Sequence, residues 1–577
     1  MNAEKIEVPG GTLAAAWRVV SPYWLSRRNW TAWLLVIAMV AGSTLTTLAQ
    51  LASTVWSKNM VDAFTTYNLP RLIWLSGVFL LLGGALAVTA VADYFLNEWL
   101  TIRWRTWLTQ HFLGQWLSGH TFYRIERDHL LDNPDQRISE DLGQLIQYSL
   151  GLTLGLYGTL FRLVTFSSVL WSKAGTLDFS LHGRAWSIPG YMFWCALLFS
   201  VIQFWFIHLV GKPLMRVNFL KQRVEGDFRF GMAGIRAHPE QIAMYNGGPA
   251  ELRRMEQAFE PVRRNMWQVL WVQLRFDAMR HFVESLAQPL PILLAAPGYF
   301  SRAMTFGDVT QVGTSFGMTV SQFSWFVRAY QEFQMFRVVV ARLYALQLAA
   351  QSAQPSSGSV LYTRGPQSEV ATCDLTLRTP QDRKLIGPVS LRVKAGERWI
   401  IQGKSGVGKS TLMRALAGIW PYGEGTVRVP ANGRVRFLPQ AAYLPTGALK
   451  TALCYPSDPA DCNDQVCRQA LRDVRLAAYA ERLEEVDRWS ERLSKGEQQR
   501  LALAGALVQQ PDFLFLDEAT GALDSETERE VYTAVLERLP NTAIVHVSHH
   551  AELKRFHDHV FNISEVEAMP PAAGATS

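Results

Sequence analysis

Hydrophobic residues in the first 340 positions gather into six runs, roughly 31–53, 72–96, 148–171, 188–211, 283–302 and 305–327. Each approaches the ~20 residues that a helix needs to cross ~30 Å of hydrocarbon. The fifth is interrupted by Glu284, Pro289, Pro291 and Pro297, and Ser, Thr and Gln dilute the sixth. Between runs, 95–112 and 255–282 keep apolar and aromatic residues at helical spacing, so the spans are expected to continue as helices beyond the membrane. Breaks at Asp132-Asn133-Pro134 and His238-Pro239 would turn them and leave short crosswise segments where a soluble partner could dock. Residues 351–368, rich in Gln, Ser, Pro and Gly without a period, read as a linker. Beyond them, short β-type runs at 398–402, 435–438, 513–516 and 543–547 alternate with helical stretches, the pattern of a sheet flanked by helices. The expected organisation is multi-domain. An all-α transmembrane domain of six helices spans 1–350, the linker 351–368, and an α/β domain 369–577. No internal repeat is evident.

Composition agrees with this division. Of 577 residues, 49% are hydrophobic and 18% charged, where soluble proteins carry roughly a quarter charged residues. A mean hydropathy of +0.04 is too low for spans alone, so a polar half must offset them. A disordered tail, a collagen-like fibre and a small disulfide scaffold are excluded. The net charge of +7 does not point to nucleic acid, because basic residues crowd the connections between spans. Segment 97–147 holds five Lys and Arg and 212–282 twelve, against two each in 54–71 and 173–187. The long connections are therefore expected to be cytoplasmic, together with both termini and the α/β domain. Five cysteines without paired spacing suggest reduced cytosolic thiols, and residues 1–10 show no removable signal peptide.

The chemistry begins at Gly403-Lys404-Ser405-Gly406-Val407-Gly408-Lys409-Ser410-Thr411, a GxxxxGK[ST] pattern between an apolar strand and a helical run. Its glycines, Gly403, Gly406 and Gly408, would let backbone N–H groups converge on phosphates, with Ser405 and Thr411 in the same cradle. Lys409 would supply charge to the β- and γ-phosphates of ATP and Ser410 a hydroxyl to Mg²⁺. A glycine-rich turn at a helix start is the plainer alternative. Some hundred residues later, four apolar residues run into Asp517 and Glu518. A buried parallel strand ending in carboxylates suits Asp517 as a metal ligand and Glu518 as the group polarising the attacking water.

Between these lies Leu493-Ser494-Lys495-Gly496-Glu497-Gln498-Gln499-Arg500, which resembles the LSGGQ signature of ABC transporter ATPases, with Lys495 in place of the first glycine. The resemblance extends to Gln440 as the Q-loop, Asp524 in the D-loop and His549 as the switch histidine. It implies that Ser494, Gly496 and Asp524 contact nucleotide, that Gln440 serves both metal and catalysis, and that His549 is catalytic. With one phosphate loop and one signature, the chain resembles a half transporter that pairs, as a homodimer, so that Lys409 of one copy and Ser494 of the other share each ATP. Relatives stack an aromatic ring on adenine about 25 residues before the phosphate loop. Residues 375–380 offer none, leaving Leu377 or Arg378 for that place.

Residues 132–138, 190–194 and 234–247 narrow the resemblance to a branch joining SbmA/BacA-type peptide and cobalamin importers to peroxisomal acyl-CoA half transporters. A turn is the simpler account of 132–138. The expectation is a multi-pass protein of the bacterial inner membrane that imports hydrophilic peptides or cobalamin-like solutes. Export of acyl-CoA or other amphipathic compounds, proton-coupled import, and a membrane-tethered regulatory ATPase that moves nothing are the alternatives. Ionisable residues within spans are costly and so candidate sites: Asp93, Glu98, Arg162 and Glu284. Arg162, deep in its run, should line a watery cavity or pair with an acid such as Glu284 or Asp93.

Overall fold

Helices longer than a bilayer is thick dominate the first 352 residues of the computed structural model, which describes residues 11–173, 175–181, 184–352, 360–404, 406–548 and 550–563. The chain divides between Gln351 and Ser352 into a helical unit and an α/β unit.

In the helical unit α1 (Thr12–Trp24) leads into α2 (Trp30–Thr65) and α3 (Leu69–Leu117), paired through a three-residue turn. The Asn68 side chain accepts the Arg71 N–H at 3.1 Å and so starts α3. There follow α4 (Leu142–Lys173), a hairpin of Thr176–Leu181 with Arg184–Pro189, α5 (Tyr191–Ala237), α6 (Gly248–Ala287), α7 (Pro289–Phe300) and α8 (Phe306–Ser352). At 1.5 Å per residue, α3, α5 and α8 each run about 70 Å, so their ends project beyond any hydrocarbon layer. The expected breaks fall at Pro134, which begins a short helical turn, and at Pro239 after α5. Outward faces are apolar: Leu80, Leu81, Val88 and Val91 on α3 are all more than two-thirds exposed.

Four segments, Arg27–Thr65, Leu69–Arg127, Pro134–Lys173 and Tyr191–Ala237, are long and apolar enough to cross a membrane. The fifth and sixth expected spans are helices of a different kind. The chain breaks at Gln288 between α6 and α7, where Pro289 removes a backbone donor, and α7 alone reaches only about 18 Å. The sixth run is the first half of α8, whose polar residues lower its hydropathy.

A polar knot holds the turn before α4 to α8. Asp141, 1% exposed, pairs with Arg342 at 3.0 Å, and Arg137 donates to Arg342 O at 2.7 Å and Asp132 O at 3.2 Å.

The α/β unit has two sheets. One contains β1 (Val360–Gly365), β2 (Glu369–Arg378), β3 (Lys384–Val389) and β5 (Gly423–Pro430), in the order β1-β5-β2-β3. The other is parallel, with β4 (Arg398–Gln402), β6 (Val435–Leu438), β7 (Phe513–Asp517), β8 (Ala543–Val547) and β9 (His559–Asn562) in the order β9-β4-β8-β7-β6. The expected linker of 351–368 is thus corrected at both ends. The last turn of α8 runs to Ser352, and 360–365 form a strand paired in parallel with β5. Helices α9 (Lys409–Leu416), α10 (Lys495–Gln509) and α11 (Ser525–Arg538) pack around the parallel sheet.

Buried in that core, His546 on β8 stacks on Tyr532 of α11, ring centroids 5.4 Å apart, with His557 nearby. Burial pushes His546 down to about 3, with lesser repulsion from His557 and His550. A histidine held neutral in the fold binds fewer protons than its unfolded counterpart, so stability declines as pH falls from about 6.5 toward about 3. Between pH 6.5 and 5 the loss is roughly 1–2 kcal/mol for one such site. We expect amide-exchange protection of β8 in the full chain, corrected for intrinsic rates, to drop about tenfold across that interval. His546→Leu should flatten the drop; an unchanged slope would exclude His546 as its source.

Candidate functional site

The parallel strands β4, β7 and β8 end at one edge, and the loops leaving them carry the polar residues. After β4 the chain turns through Gly406 (φ 80°) and Gly408 (φ 104°), the second serving as the N-cap of α9. Any Cβ at Gly408 would be left-handed and 3.2 Å from Ile386 Cγ2, so only glycine brings the helix start this close to β3. Lys409 is buried, and its ammonium folds back to donate to Gly403 O at 2.8 Å and Lys404 O at 3.0 Å. Ser410 donates its hydroxyl to Asp517 Oδ1 at 3.1 Å, and Thr411 follows half-buried in the first turn. Ser405 lies outside the described residues.

Asp517 ends β7 opposite Val547 of β8, one residue past the end of the pairing with β6 at Leu516. Burial pushes its carboxyl above the ordinary range, against the opposing Ser410 hydrogen bond. Glu518 then takes a left-handed backbone (φ 50°), its N–H donating to Val547 O at 3.0 Å. Such a backbone costs roughly 1–3 kcal/mol and is characteristic of functional sites. Its side chain turns away from Asp517's partner: Glu518 Oε2 accepts the Gln440 amide at 2.9 Å. Ser410 thus meets Asp517 and Gln440 meets Glu518 at the strand ends, while Lys409 bonds the carbonyls of its own loop.

The donor set of Ser410 hydroxyl, Asp517 carboxylate and Gln440 amide is all oxygen on the ligating side, which suits a hard divalent cation such as Mg²⁺. Among the described residues no group of three or more His, Cys, Asp or Glu forms a cage.

Ser494, Gly496 and Asp524 lie on neighbouring helix starts. Ser494 caps α10 in a reciprocal box, accepting Glu497 N–H at 3.3 Å while its own N–H and hydroxyl donate to Glu497 Oε2 at 2.9 and 2.8 Å. Burial alone would raise the Glu497 carboxyl, but the two Ser494 bonds, with Arg500 and Tyr479, hold it below its usual range. A Cβ on Gly496 would stand 3.2 Å from Ala522 O, so the glycine also serves close packing within the chain. Asp524 caps α11, accepting Thr527 N–H at 3.0 Å, and hydrogen bonds from Thr527 lower its carboxyl. His549 lies outside the described residues. Beside it, His550 Nδ1 meets the buried Glu528 at 2.7 Å.

Sequence reasoning missed Gln499. Its amide donates to Gln440 O at 3.3 Å and Glu518 O at 3.4 Å, and its Oε1 accepts Ala522 N–H at 2.9 Å. One side chain thus ties α10 to the loops of Gln440, Glu518 and Asp524. The signal was available, since Gln499 lies three residues after Gly496 and shares its helix face. One expectation is corrected. Leu377 is fully buried in the sheet core and cannot reach adenine, leaving the half-exposed Arg378, which bonds Glu424 at 3.2 Å. In the helical unit Arg162 takes the first of its two expected places, in the wall of a cavity, and its partner there is an amide in place of an acid, Nε to Gln322 Oε1 at 3.1 Å. Asp93 lines a separate cavity, and Glu284 pairs with Arg280 at 3.7 Å.

The chain is similar to known proteins along both units. A family model described as ABC transporter transmembrane region 2 matches residues 19–300, and one described as ABC transporter matches residues 386–521. The chain is 30% identical over 552 residues to the inner membrane ABC transporter ATP-binding protein YddA of Escherichia coli (strain K12), covering 95% of this chain and 97% of that protein. It is 27% identical over 510 residues to the lysosomal cobalamin transporter ABCD4 of Homo sapiens, covering 82% and 81% of the two. A solved bacterial Atm1-family ABC exporter with ATP bound shares the fold, with TM-score 0.69 at 17% identity over 92% of this chain and 94% of that one.

Gln499→Ala removes three hydrogen bonds, two that position Gln440 and Glu518 and a third that holds the Ala522 N–H, each worth about 1 kcal/mol net. ATP turnover of the purified chain should fall at least about tenfold with nucleotide affinity changed less than about threefold. Turnover within twofold of the parent would show that Gln499 positions nothing.

Proposed function

This chain belongs to the ABC transporter family, carrying a transmembrane region and an ATPase on one polypeptide, and on that basis we propose that two copies pair and import a hydrophilic solute of the peptide or cobalamin class. The family hydrolyses ATP and couples hydrolysis to transport, and this chain is an ATP-binding membrane protein of that kind. The observation that carries the site assignment is the meeting of Ser410 with Asp517 and of Gln440 with Glu518 at the ends of the parallel strands.

In this reading the phosphate loop binds ATP, with Gly403, Ser405, Gly406, Gly408 and Thr411 forming the cradle and Lys409 exchanging its carbonyl partners for phosphate oxygens. Mg²⁺, when bound by Ser410, Asp517 and Gln440, supplies positive charge to the phosphates. Glu518 orients and polarises the attacking water, aided by His549 and by Gln440. Ser494 and Gly496, at the start of the fifteen-residue α10, present helix N–H groups to the nucleotide of the partner copy, and Asp524 stands beside them.

In this reading the chain crosses six times, with α6–α7 and α8 as the fifth and sixth crossings, and the Lys and Arg distribution supports a cytoplasmic ATPase. The name of the E. coli relative supports a bacterial inner membrane. A hydrophilic cargo is supported by a cavity of about 950 Å³ whose walls include Asp93, Asn97, Glu98, Gln144 and Gln147, and by the cobalamin transporter among the similar proteins.

Glu518→Gln should keep ATP binding and lower turnover at least about a hundredfold, since a base or water-orienting group contributes 10²–10⁴-fold. Near-normal turnover would remove Glu518 from that role. Lys409→Ala and Ser494→Ala chains, each inactive alone, should recover about one working site per mixed dimer. A dead mixture in which mixed dimers demonstrably form would rule out sites shared between copies. In proteoliposomes with ATP on the ATPase side, labelled peptide or cobalamin should leave the far side and accumulate with the ATP. Movement of acyl-CoA alone toward the far side would reverse cargo and direction, and ATP turnover without movement of any solute would favour a regulatory ATPase.

A further inference from the structure

We propose that a cavity of about 470 Å³ in the helical unit binds a small hydrophilic solute carrying an oxyanion, either carboxylate or phosphate, together with N–H or O–H donors. The proposal rests on the reading of this chain as a carrier of hydrophilic solutes, and narrows it. Five helices each deliver a polar group to this one space: Gln50 from α2, Arg162 from α4, Gln203 from α5, Glu284 from α6, and Gln322 and Arg328 from α8. The volume lies within the range of small-ligand pockets.

The hydrogen bonding of the walls is incomplete in a directed way. Gln322 is fully engaged: its Oε1 accepts Arg162 Nε at 3.1 Å, and its Nε2 donates to Met318 O at 3.2 Å and Ser321 Oγ at 2.9 Å. It thereby fixes the Arg162 guanidinium by one edge. The Nε bond is the one that Arg162 makes among the described residues, so the two terminal nitrogens remain free to donate. Gln203 is 8% exposed, and its Oε1 is buried with no hydrogen-bond partner among the described residues. Gln50 Oε1 is in the same condition. Buried polar atoms left unmatched are destabilising, and in helices facing lipid a valine or leucine would avoid the penalty.

These groups specify a complementary ligand. A guanidinium edge with free N–H groups calls for a planar or tetrahedral oxyanion. Two unmatched amide oxygens call for donors. The charge agrees, because Arg162 and Arg328 face one carboxylate, Glu284, which already pairs with Arg280 at 3.7 Å and His281 at 3.5 Å. A neutral solute would leave the guanidinium unmatched, and a hydrocarbon chain would cover the amide oxygens without satisfying them.

The test uses the full-length chain in nanodiscs and calorimetric titration with two matched pairs, trialanine against trialaninamide and glucose 6-phosphate against glucose. In at least one pair the member that carries the oxyanion should bind tenfold or more tightly than the member that lacks it, and which pair discriminates identifies carboxylate or phosphate. Arg162→Gln should reduce that ratio to near one. Gln203→Leu, which leaves the guanidinium in place, should weaken the preferred anion at least about threefold and supplies the comparison if Arg162→Gln does not fold. Ratios below tenfold in both pairs, or a ratio unchanged by Arg162→Gln, would overturn the proposal. Uptake of cobalamin or peptide without this discrimination would sink this site and leave the transport reading standing. Discrimination without uptake would do the reverse.

Discussion

The ATPase unit depends on one backbone residue, Glu518, held left-handed after β7 by its N–H bond to Val547 O. An ordinary extended residue would send consecutive side chains to opposite faces of the sheet and carry the strand onward. The left-handed turn ends the strand and lets neighbouring carboxylates serve different partners, Asp517 meeting Ser410 and Glu518 meeting Gln440. The charge-binding and water-handling halves of the site are thereby separated by a single peptide unit. The strain is tolerable because β7 is covered on both edges and its apolar residues are almost wholly buried, so the strand cannot shift to relieve it.

How much of this was legible in the sequence follows from how local each constraint is. The phosphate loop, the four parallel-sheet runs and the Asp517-Glu518 pair are written in contiguous residues, and the structure has them where the pattern put them. Strand β1 was hidden because 360–365 sit in linker-like composition and acquire strand geometry only by pairing with β5, some sixty residues on. Leu377 looked available to adenine in a linear reading, and only the alternation of β2 shows that it faces the core. Gln499 was legible in principle from its spacing to Gly496, but its three partners come from loops distant in sequence.

The helical unit shows the same limit. Arg162 was recognisable as costly within a span, yet its partner is an amide 160 residues away, which no charge-matching rule would select. Likewise residues 132–141 carry a turn whose purpose appears only in three dimensions. Arg137 and Asp141 both address Arg342, one at its carbonyl and one at its guanidinium, so the start of α4 is registered against α8 by directional bonds where apolar packing alone would permit sliding.

The inward fold of Lys409 has an energetic consequence for the nucleotide cycle. Its ammonium already has two good carbonyl acceptors, Gly403 O and Lys404 O. An arriving phosphate displaces these neutral acceptors with charged ones, and a departing phosphate hands the ammonium back to partners already in reach. The ammonium is therefore hydrogen-bonded whether or not phosphate is present, so losing the phosphate does not leave a buried cation without acceptors.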